Sequence, residues 1–595
     1  MNLDQILRTE IQRAVSTLFS QSLQDFQVQP TNQEFDGTHT LVCFPLTKIS
    51  RKSPEETAKL LGEYLVQHSG ITERFNVVKG FLNLELKDSV WIEVFQSIHA
   101  NANFGQLPFH GREIMIEYSS PNTNKPLHLG HLRNNFLGFS VAEIFKANGY
   151  KVHRVQIIND RGIHICKSMA AWRLFANGET PESSNMKGDH LVGKYYVVFD
   201  KTYKSQVNDL VGKGMAEQEA EKEAPIMKLA VDMLRKWEQK DSDIVALWRT
   251  MNSWVYDGFN ATYARMGVEF DKLYYESETY LLGKEEVLKG VEKGVFFRKP
   301  DGSIWVDLTP DGLDQKVLMR SDGTSVYMTQ DIGTAILRFT DFPNIVGQVY
   351  TVGNEQEYHF KVLFLILNKL GFEWAKSCFH LSYGMVDLPT GKMKSREGTV
   401  VDADELMQEM VNEAERQTRE LGKIEGWSED ETRPLFEMIG LGALKFFLLK
   451  VDPKKRMLFD PNESIQLQGF TGPFIQYTHA RIRAILRKAA QMKISVAAKD
   501  LKNLTTLEPA ERDALNVLSL FESKVQEAAR EYSPAIIANF AFELAKEYNK
   551  FYQNIPIFSE DDQVKLRFRV AFSESVADAI KKAMSLLGIA VPDRM

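Results

Sequence analysis

Between Glu113 and Tyr150 the chain reads as a buried strand handing over to a helix, and the junction carries two histidines three residues apart around a glycine. Glu113-Ile-Met-Ile-Glu-Tyr118 has the apolar character of a buried strand. Leu132 to Tyr150 spaces its apolar residues as a helix does and ends on Asn148-Gly149, a helix-stop signal. Such a junction presents free backbone N–H groups and the positive end of a helix dipole, which suits a nucleotide's phosphates. His128 and His131 fall in the first turn on one face, where imidazole N–H groups can donate to phosphate oxygens. A single histidine there is equally well explained as a polar helix start. The full string Glu117-Tyr-Ser-Ser-Pro-Asn-Thr-Asn-Lys-Pro-Leu-His-Leu-Gly-His131 is much harder to explain that way.

A chain of 595 residues is too long for one core. Residues 1–108 are expected to form a small α+β unit: a helix from Leu3 to Leu18, a strand Thr40–Pro45, a helix capped at Ser53-Pro-Glu-Glu, and an alternating strand Phe81–Leu86. Asn101 to Gly111 reads as a linker. Residues 109–455 alternate strands with helices, the pattern of a parallel, Rossmann-like α/β sheet. The candidate strands are Ile114–Tyr118, Lys151–Ile158, Ile345–Val352 and Cys378–Met385. An insertion is expected at about 165–320; it includes a charged helix from Lys201 to Gln239 and a hairpin strand Gly302–Leu308. Residues 456–595, with Arg433–Leu449 before them, lose the strand signal and read as an all-α bundle. Its expected helices are Ile465–Lys493, Glu508–Tyr532, Pro534–Tyr552 and Lys565–Leu587.

The net charge of −7 excludes uniform attraction to nucleic acid, so any such role needs local basic surface. Two stretches qualify, Lys450–Arg456 and His479–Lys488, and each is equally well explained as a solvated helix face. No apolar run is long enough to cross a bilayer, and the acid-containing N-terminus is unlike a signal peptide. The three cysteines, Cys43, Cys166 and Cys378, lie far apart and form neither a disulfide framework nor a zinc-ligand pattern. A cytoplasmic protein without structural zinc is expected.

A second landmark is Gly391-Lys-Met-Lys-Ser-Arg-Glu-Gly398, a glycine-flanked loop with three cations in five residues, suited to clamping polyphosphate. By itself it is better explained as an exposed basic turn. Together with the histidine loop it resembles the paired "HIGH" and "KMSKS" signatures of class I aminoacyl-tRNA synthetases. The flanking strings narrow the resemblance to the arginyl-tRNA synthetase family: Glu117-Tyr-Ser-Ser-Pro-Asn, Lys125-Pro-Leu-His, Gly323-Thr-Ser-Val-Tyr-Met-Thr-Gln-Asp-Ile-Gly333 and Gly472-Pro-Phe-Ile-Gln-Tyr-Thr-His-Ala-Arg481.

That resemblance implies ATP-dependent ligation of L-arginine to tRNA(Arg) through an arginyl-adenylate, releasing AMP and diphosphate. It implies Mg²⁺ accompanying ATP and a monomer; no membrane partner is expected from the apolar runs, and no separate editing domain is expected, since arginine's distinctive charged group makes one less necessary. His128, Gly130 and His131 would take ATP, with Lys392, Met393, Lys394 and Ser395 from the second loop. The family's second loop lysine falls at Ser395, so Lys125 is assigned the missing charge beside the catalytic His128, His131 and Lys392. Tyr327 and Asp331 would meet the guanidinium, with Glu117, Ser120, Asn122, His131 and Gln356 completing the arginine pocket. Phe474, Gln476, Tyr477, His479 and Arg481 would contact tRNA, although helix packing competes as an explanation for Phe474 and Tyr477. Two other readings are a different class I synthetase or nucleotidyltransferase sharing the histidine loop, and a catalytically silent RNA-binding paralogue.

Overall fold

The computed structural model describes residues 3–32, 34–387, 401–422, 424, 426–496, 501 and 503–595. The alternation that begins at Glu113 forms a five-stranded sheet. Its strands are β1 (Glu113–Glu117), β2 (Lys151–Ile158), β3 (Lys272–Tyr275), β4 (Ile345–Gly353) and β5 (Cys378–Tyr383). The order across the sheet is β5-β4-β1-β2-β3, and every neighbouring pair is parallel. Strand order therefore reverses between β1 and β4, the place where open α/β sheets leave a crevice at their carboxyl ends.

Four of these strands match the expected ones, but β3 corrects the picture of the insertion: the stretch at about 165–320 contains one strand of the main sheet. Lys272-Leu-Tyr-Tyr275 is only four residues long and mostly part-exposed at the sheet edge, too short a run to be distinct in sequence. The charged stretch Lys201–Gln239 is not one helix. It divides into Gly188–Gly212, Glu217–Glu223 and Pro225–Glu238. Gly214, at φ +91°, adopts a left-handed conformation that breaks the first. Pro225 opens the third, where a proline has no intrahelical N–H to lose. The hairpin strand lies in a three-stranded antiparallel sheet of Phe296–Arg298, Ile304–Val306 and Lys316–Met319.

The N-terminal unit is a four-stranded antiparallel sheet (Val28–Pro30, His39–Val42, Phe81–Leu86, Thr72–Val78, in that order) backed by helices. Ser53 caps Pro54–His68, its hydroxyl accepting from the Glu56 N–H at 3.1 Å. The expected linker Asn101–Gly111 is docked. Phe104 is buried edge-on to Phe521 at 5.8 Å, and Lys582 donates to the carbonyls of Ala102 (2.7 Å) and Phe104 (3.0 Å). Asp88 accepts from the Leu507 N–H (3.0 Å) and from Arg512 (3.1 Å), so the N-terminal unit is fixed to the C-terminal bundle.

The bundle contains helices Glu429–Leu449, Gly472–Gln491, Pro509–Ser519, Phe521–Arg530, Pro534–Asn554 and Gln563–Leu586. The expected Ile465–Lys493 helix starts only at Gly472, after Gly469 turns at φ +82°. The helix expected over Glu508–Tyr532 breaks at Leu520. Between sheet and bundle runs α1 (Leu129–Ala147), buried along nearly its whole length because it touches β1, β2 and β4 on one side and four bundle helices on the other. Ser140 donates to the Leu586 carbonyl at 2.7 Å, and the Asn148 amide donates to that of Val525 at 3.0 Å. A Cβ on Gly138 would lie 2.4 Å from that of Tyr118, so glycine is what lets α1 approach the end of β1.

The bundle encloses a buried ion pair in which Arg569 meets Glu511 at 2.7 Å, both side chains almost fully buried, with Glu560 as a second acceptor at 2.7 Å. Removing one partner strands the other charge, at a cost of about 3–5 kcal/mol. Arg569→Met is therefore expected to lower the melting temperature of the full chain in calorimetry by several degrees, and Glu511→Gln added to it to recover most of the loss. An unchanged melt in the single variant contradicts this.

Candidate active site

At the β1/β4 crevice lies a cleft of about 730 Å³ whose lining includes Ser119, Ser120, Asn122, His128, Gly130, His131, Asn134, Gly353, Glu355 and Gln356. His128 is the N-cap of α1 and His131 is its third residue. Their rings fold back on the backbone they follow: His128 Nδ1 accepts from the Gly130 N–H at 3.1 Å, and His131 Nδ1 accepts from the His128 N–H at 3.2 Å. A ring whose Nδ1 accepts carries its proton on Nε2, so each histidine keeps one N–H donor to offer. Burial, with Lys125 adding to it, lowers the His128 pKa to about 4. Burial and then the neighbouring His128 and Lys125 hold His131 well below its usual range. Both rings are therefore neutral donors at physiological pH. A Cβ on Gly130 would come within 3.0 Å of the His128 ring, which explains the glycine between them. Lys125 is half-buried, and burial lowers its own pKa.

The backbone just before these histidines is strained. Ser119 and Ser120 both occupy the left-handed region, at φ +82° and +46°. The turn is held by the Asn134 side chain accepting from the Ser119 N–H (2.6 Å), by a hydroxyl pair between Ser119 and Tyr263 (2.7 Å), and by Asn135 donating to Ser119 Oγ (3.2 Å). Consecutive non-glycine residues in this region persist only where surroundings over-determine them, and they concentrate at functional sites.

Tyr327 and Asp331 lie one turn apart at the start of α2 (Tyr327–Asp341). Tyr327 is 75% exposed, so it is not a core aromatic. Asp331 is part-exposed and meets His359 Nε2 at 2.6 Å. Glu117 is placed differently from the other pocket candidates: it is buried at the end of β1 and ion-paired to Arg338, two turns beyond Asp331 on α2. Burial raises the Glu117 carboxyl against the pull of that guanidinium. The sequence reading missed Arg338, His359, Asn134 and Tyr263. A lone arginine in an amphipathic helix gives no signal until the fold shows which carboxylate it meets.

Lys392, Met393, Lys394 and Ser395 lie outside the described residues. In the bundle two expectations need correction. Gln476 is fully buried, its amide donating to the carbonyls of Met438 (3.0 Å) and Ala590 (2.8 Å). His479 is buried with Nδ1 at 2.9 Å from the Pro592 carbonyl. Both residues close the bundle on the chain's last segment, leaving them no access to a nucleic acid. Phe474, Tyr477 and Arg481 are part-exposed, with Phe474 packed against Phe542 and the Arg481 guanidinium 5.0 Å from the Tyr477 ring. The basic stretch Lys450–Arg456 is partly committed: Lys450 donates to the Phe470 carbonyl at 3.1 Å, and Arg456 pairs with Asp387 at 2.8 Å. Among the described residues one cluster, Asp189, His190 and Asp404, has the ligand types for a metal. The Lys187 ammonium reaches Asp404 at 2.6 Å and Asp189 at 3.2 Å, so the chain supplies its own cation there.

Comparison with known proteins covers nearly the whole chain. The family model described as "tRNA synthetases class I (R), catalytic domain" matches residues 94–460. "Arginyl tRNA synthetase N terminal domain" matches 5–86, and "DALR anticodon binding domain" matches 475–595. Relatives named arginine--tRNA ligase from Flavobacterium psychrophilum and Bacteroides fragilis are 55% and 54% identical, each match covering 100% of both chains. The solved arginyl-tRNA synthetase of Thermus thermophilus superposes with a TM-score of 0.80 over 100% of both chains, at 24% identity, a likeness of fold. No helix among the described residues is long and apolar enough to cross a membrane. From the matched catalytic model and these full-length relatives, the chain belongs to the arginyl-tRNA synthetase family of class I aminoacyl-tRNA synthetases.

Proposed function

We propose that the β1/β4 cleft is where this chain activates L-arginine with ATP, using His128 and His131 as neutral donors to phosphate. The family's reaction is this chain's reaction: ATP-dependent ligation of L-arginine to tRNA(Arg) through an arginyl-adenylate, with release of AMP and diphosphate. In its first half an already ionised carboxylate attacks the α-phosphate, so no general base is required. Catalysis is then alignment of two anions and stabilisation of charge on the transferring phosphate and departing pyrophosphate. The observation that carries this reading is the shared geometry of the two rings, each with Nδ1 tied to backbone and Nε2–H left to donate at the lip of the cleft.

Lys125 adds positive charge beside those rings, and Lys392 and its neighbours are assigned the pyrophosphate side. Mg²⁺ would enter on the ATP phosphates. The cleft lining offers Glu355 and Asp387 as carboxylates, the latter already paired with Arg456, so phosphate and water oxygens would supply most of its coordination. The charged end of arginine is assigned to Asp331 and Tyr327, and its α-amino and α-carboxyl groups to Ser120, Asn122, His131 and Gln356. Residues 1–108 and 456–595 would hold tRNA beside the catalytic unit at 109–455, with Phe474, Tyr477 and Arg481 as base- and phosphate-facing groups. The chain is assigned to the cytoplasm as a monomer.

His131→Ala is expected to slow arginyl-adenylate formation by about a hundredfold or more, the scale of losing one transition-state donor. Single-turnover measurement with wild-type rates would remove His131 from this role. Asp331→Asn is expected to raise the KM for L-arginine strongly while leaving the KM for ATP little changed, since truncating a charged hydrogen bond of this kind costs roughly 2–5 kcal/mol. Equal changes for both substrates in ATP–pyrophosphate exchange would make Asp331 a structural residue of α2.

A further inference from the structure

The first turn of helix Gly188–Gly212, in the insertion, is built against the segment that presents His128. A Cβ on Gly193 would lie 2.8 Å from Pro126 Cδ and 3.6 Å from the Lys125 Cα, so this helix touches the chain just before His128. Lys187 is the N-cap residue of the same helix, and its ammonium is shared among Asp404 at 2.6 Å, Asp189 at 3.2 Å and the Thr262 hydroxyl. The Asp189 carboxylate is fully buried, in space that Gly258 leaves open: a Cβ there would lie 2.4 Å from Asp189 Oδ1.

Asp404 is in turn fastened to the histidine turn. Val401–Ala403 runs antiparallel to Leu127–Leu129: the Leu129 N–H donates to the Val401 carbonyl at 3.1 Å, the Ala403 N–H donates to the Leu127 carbonyl at 3.0 Å, and Asp402 stands opposite His128. Asp402 then caps helix Ala403–Glu420, accepting from the Asp404 and Glu405 N–H groups at 2.8 and 3.0 Å. His190 Nε2 lies 3.4 Å from both Asp402 and Asp404, and Thr262 Oγ1 donates to Asp404 Oδ1 at 3.1 Å. The insertion therefore grips the chain around His128 twice, directly at Pro126 and through Lys187, Asp404 and the paired backbone. Charge-assisted bonds of this kind are directional enough to fix a register. The His128 ring takes its orientation from the Gly130 N–H, so a shift of Leu127–Leu129 carries Nε2 with it. A misplacement of about 1 Å caused by a remote support can cost a hundredfold in rate.

We propose that Lys187 is a positioning residue for adenylate formation: by tying Asp404 to the insertion it holds Val401–Ala403 against Leu127–Leu129, and so fixes where His128 Nε2 points. This rests on the reading above that His128 donates to phosphate.

The test is ATP–pyrophosphate exchange by the full chain at saturating L-arginine and ATP, with tRNA(Arg) present, in a double-mutant cycle with His128→Ala. Lys187→Met is expected to slow exchange about tenfold in the otherwise wild-type chain and less than about threefold in His128→Ala, because residues that act through one another do not add. Equal losses in the two backgrounds would make the cluster a structural strut and overturn the proposal. Removing the lysine leaves Asp189 and Asp404 uncompensated and can prevent folding, so Asp404→Asn is carried through the same cycle. It keeps Lys187 paired with Asp189 and breaks only the charged tie, and is expected to slow exchange about threefold or more while melting close to wild type. Wild-type exchange in Asp404→Asn would likewise overturn the proposal. Wild-type exchange in His128→Ala would overturn the role of His128 on which the proposal rests. A wild-type chain without arginine-dependent exchange would instead overturn the proposed function.

Discussion

Helix α1 is held between sheet and bundle, and the chemistry proposed for its first turn depends on that restraint. Its sheet-facing side packs on β1, β2 and β4, while its opposite side touches helices from the C-terminal bundle. Side-chain bonds tie its middle to the Leu586 carbonyl and its end to that of Val525. The N-cap, His128, therefore sits at the end of an element with little freedom to tilt or slide. This is what pre-organisation requires: donors fixed before charge develops cost no reorganisation when it does. The N-terminal unit, part of the sheet and the bundle share one continuous apolar core.

Burial near the cleft sets protonation as well as position. The two histidines are kept neutral by their burial against the protein and by the nearby lysine. Neutral rings suit a step that needs donors and no base. Two nearby carboxylates sit in different surroundings: Asp331 is part-exposed and meets His359, whereas Glu117 is buried with an internal guanidinium.

Much of this was legible in the sequence because it depends on local pattern. Four of the strands, the strand-to-helix junction, the Ser53 cap and the all-α C-terminal region follow from apolar spacing and capping residues. The cleft gathers Ser120, Asn122, His128, Gly130, His131 and Gln356, which the sequence motifs had already marked. What stayed hidden was long-range. Strand β3 is four residues at an edge, the apparent linker at Asn101–Gly111 is docked by Lys582 some 480 positions away, and Arg338 has meaning only beside Glu117. Gln476 and His479 show the converse error: a motif of polar residues on a helix reads as a surface, yet the chain's last segment covers it.

The most direct check on this account is a crystal structure of the chain with L-arginine and a non-hydrolysable ATP analogue bound together. The account predicts phosphate oxygens within hydrogen-bond distance of Nε2 of His128 and His131, and the substrate guanidinium against Asp331. A guanidinium remote from Asp331, or phosphates remote from both rings, would contradict it.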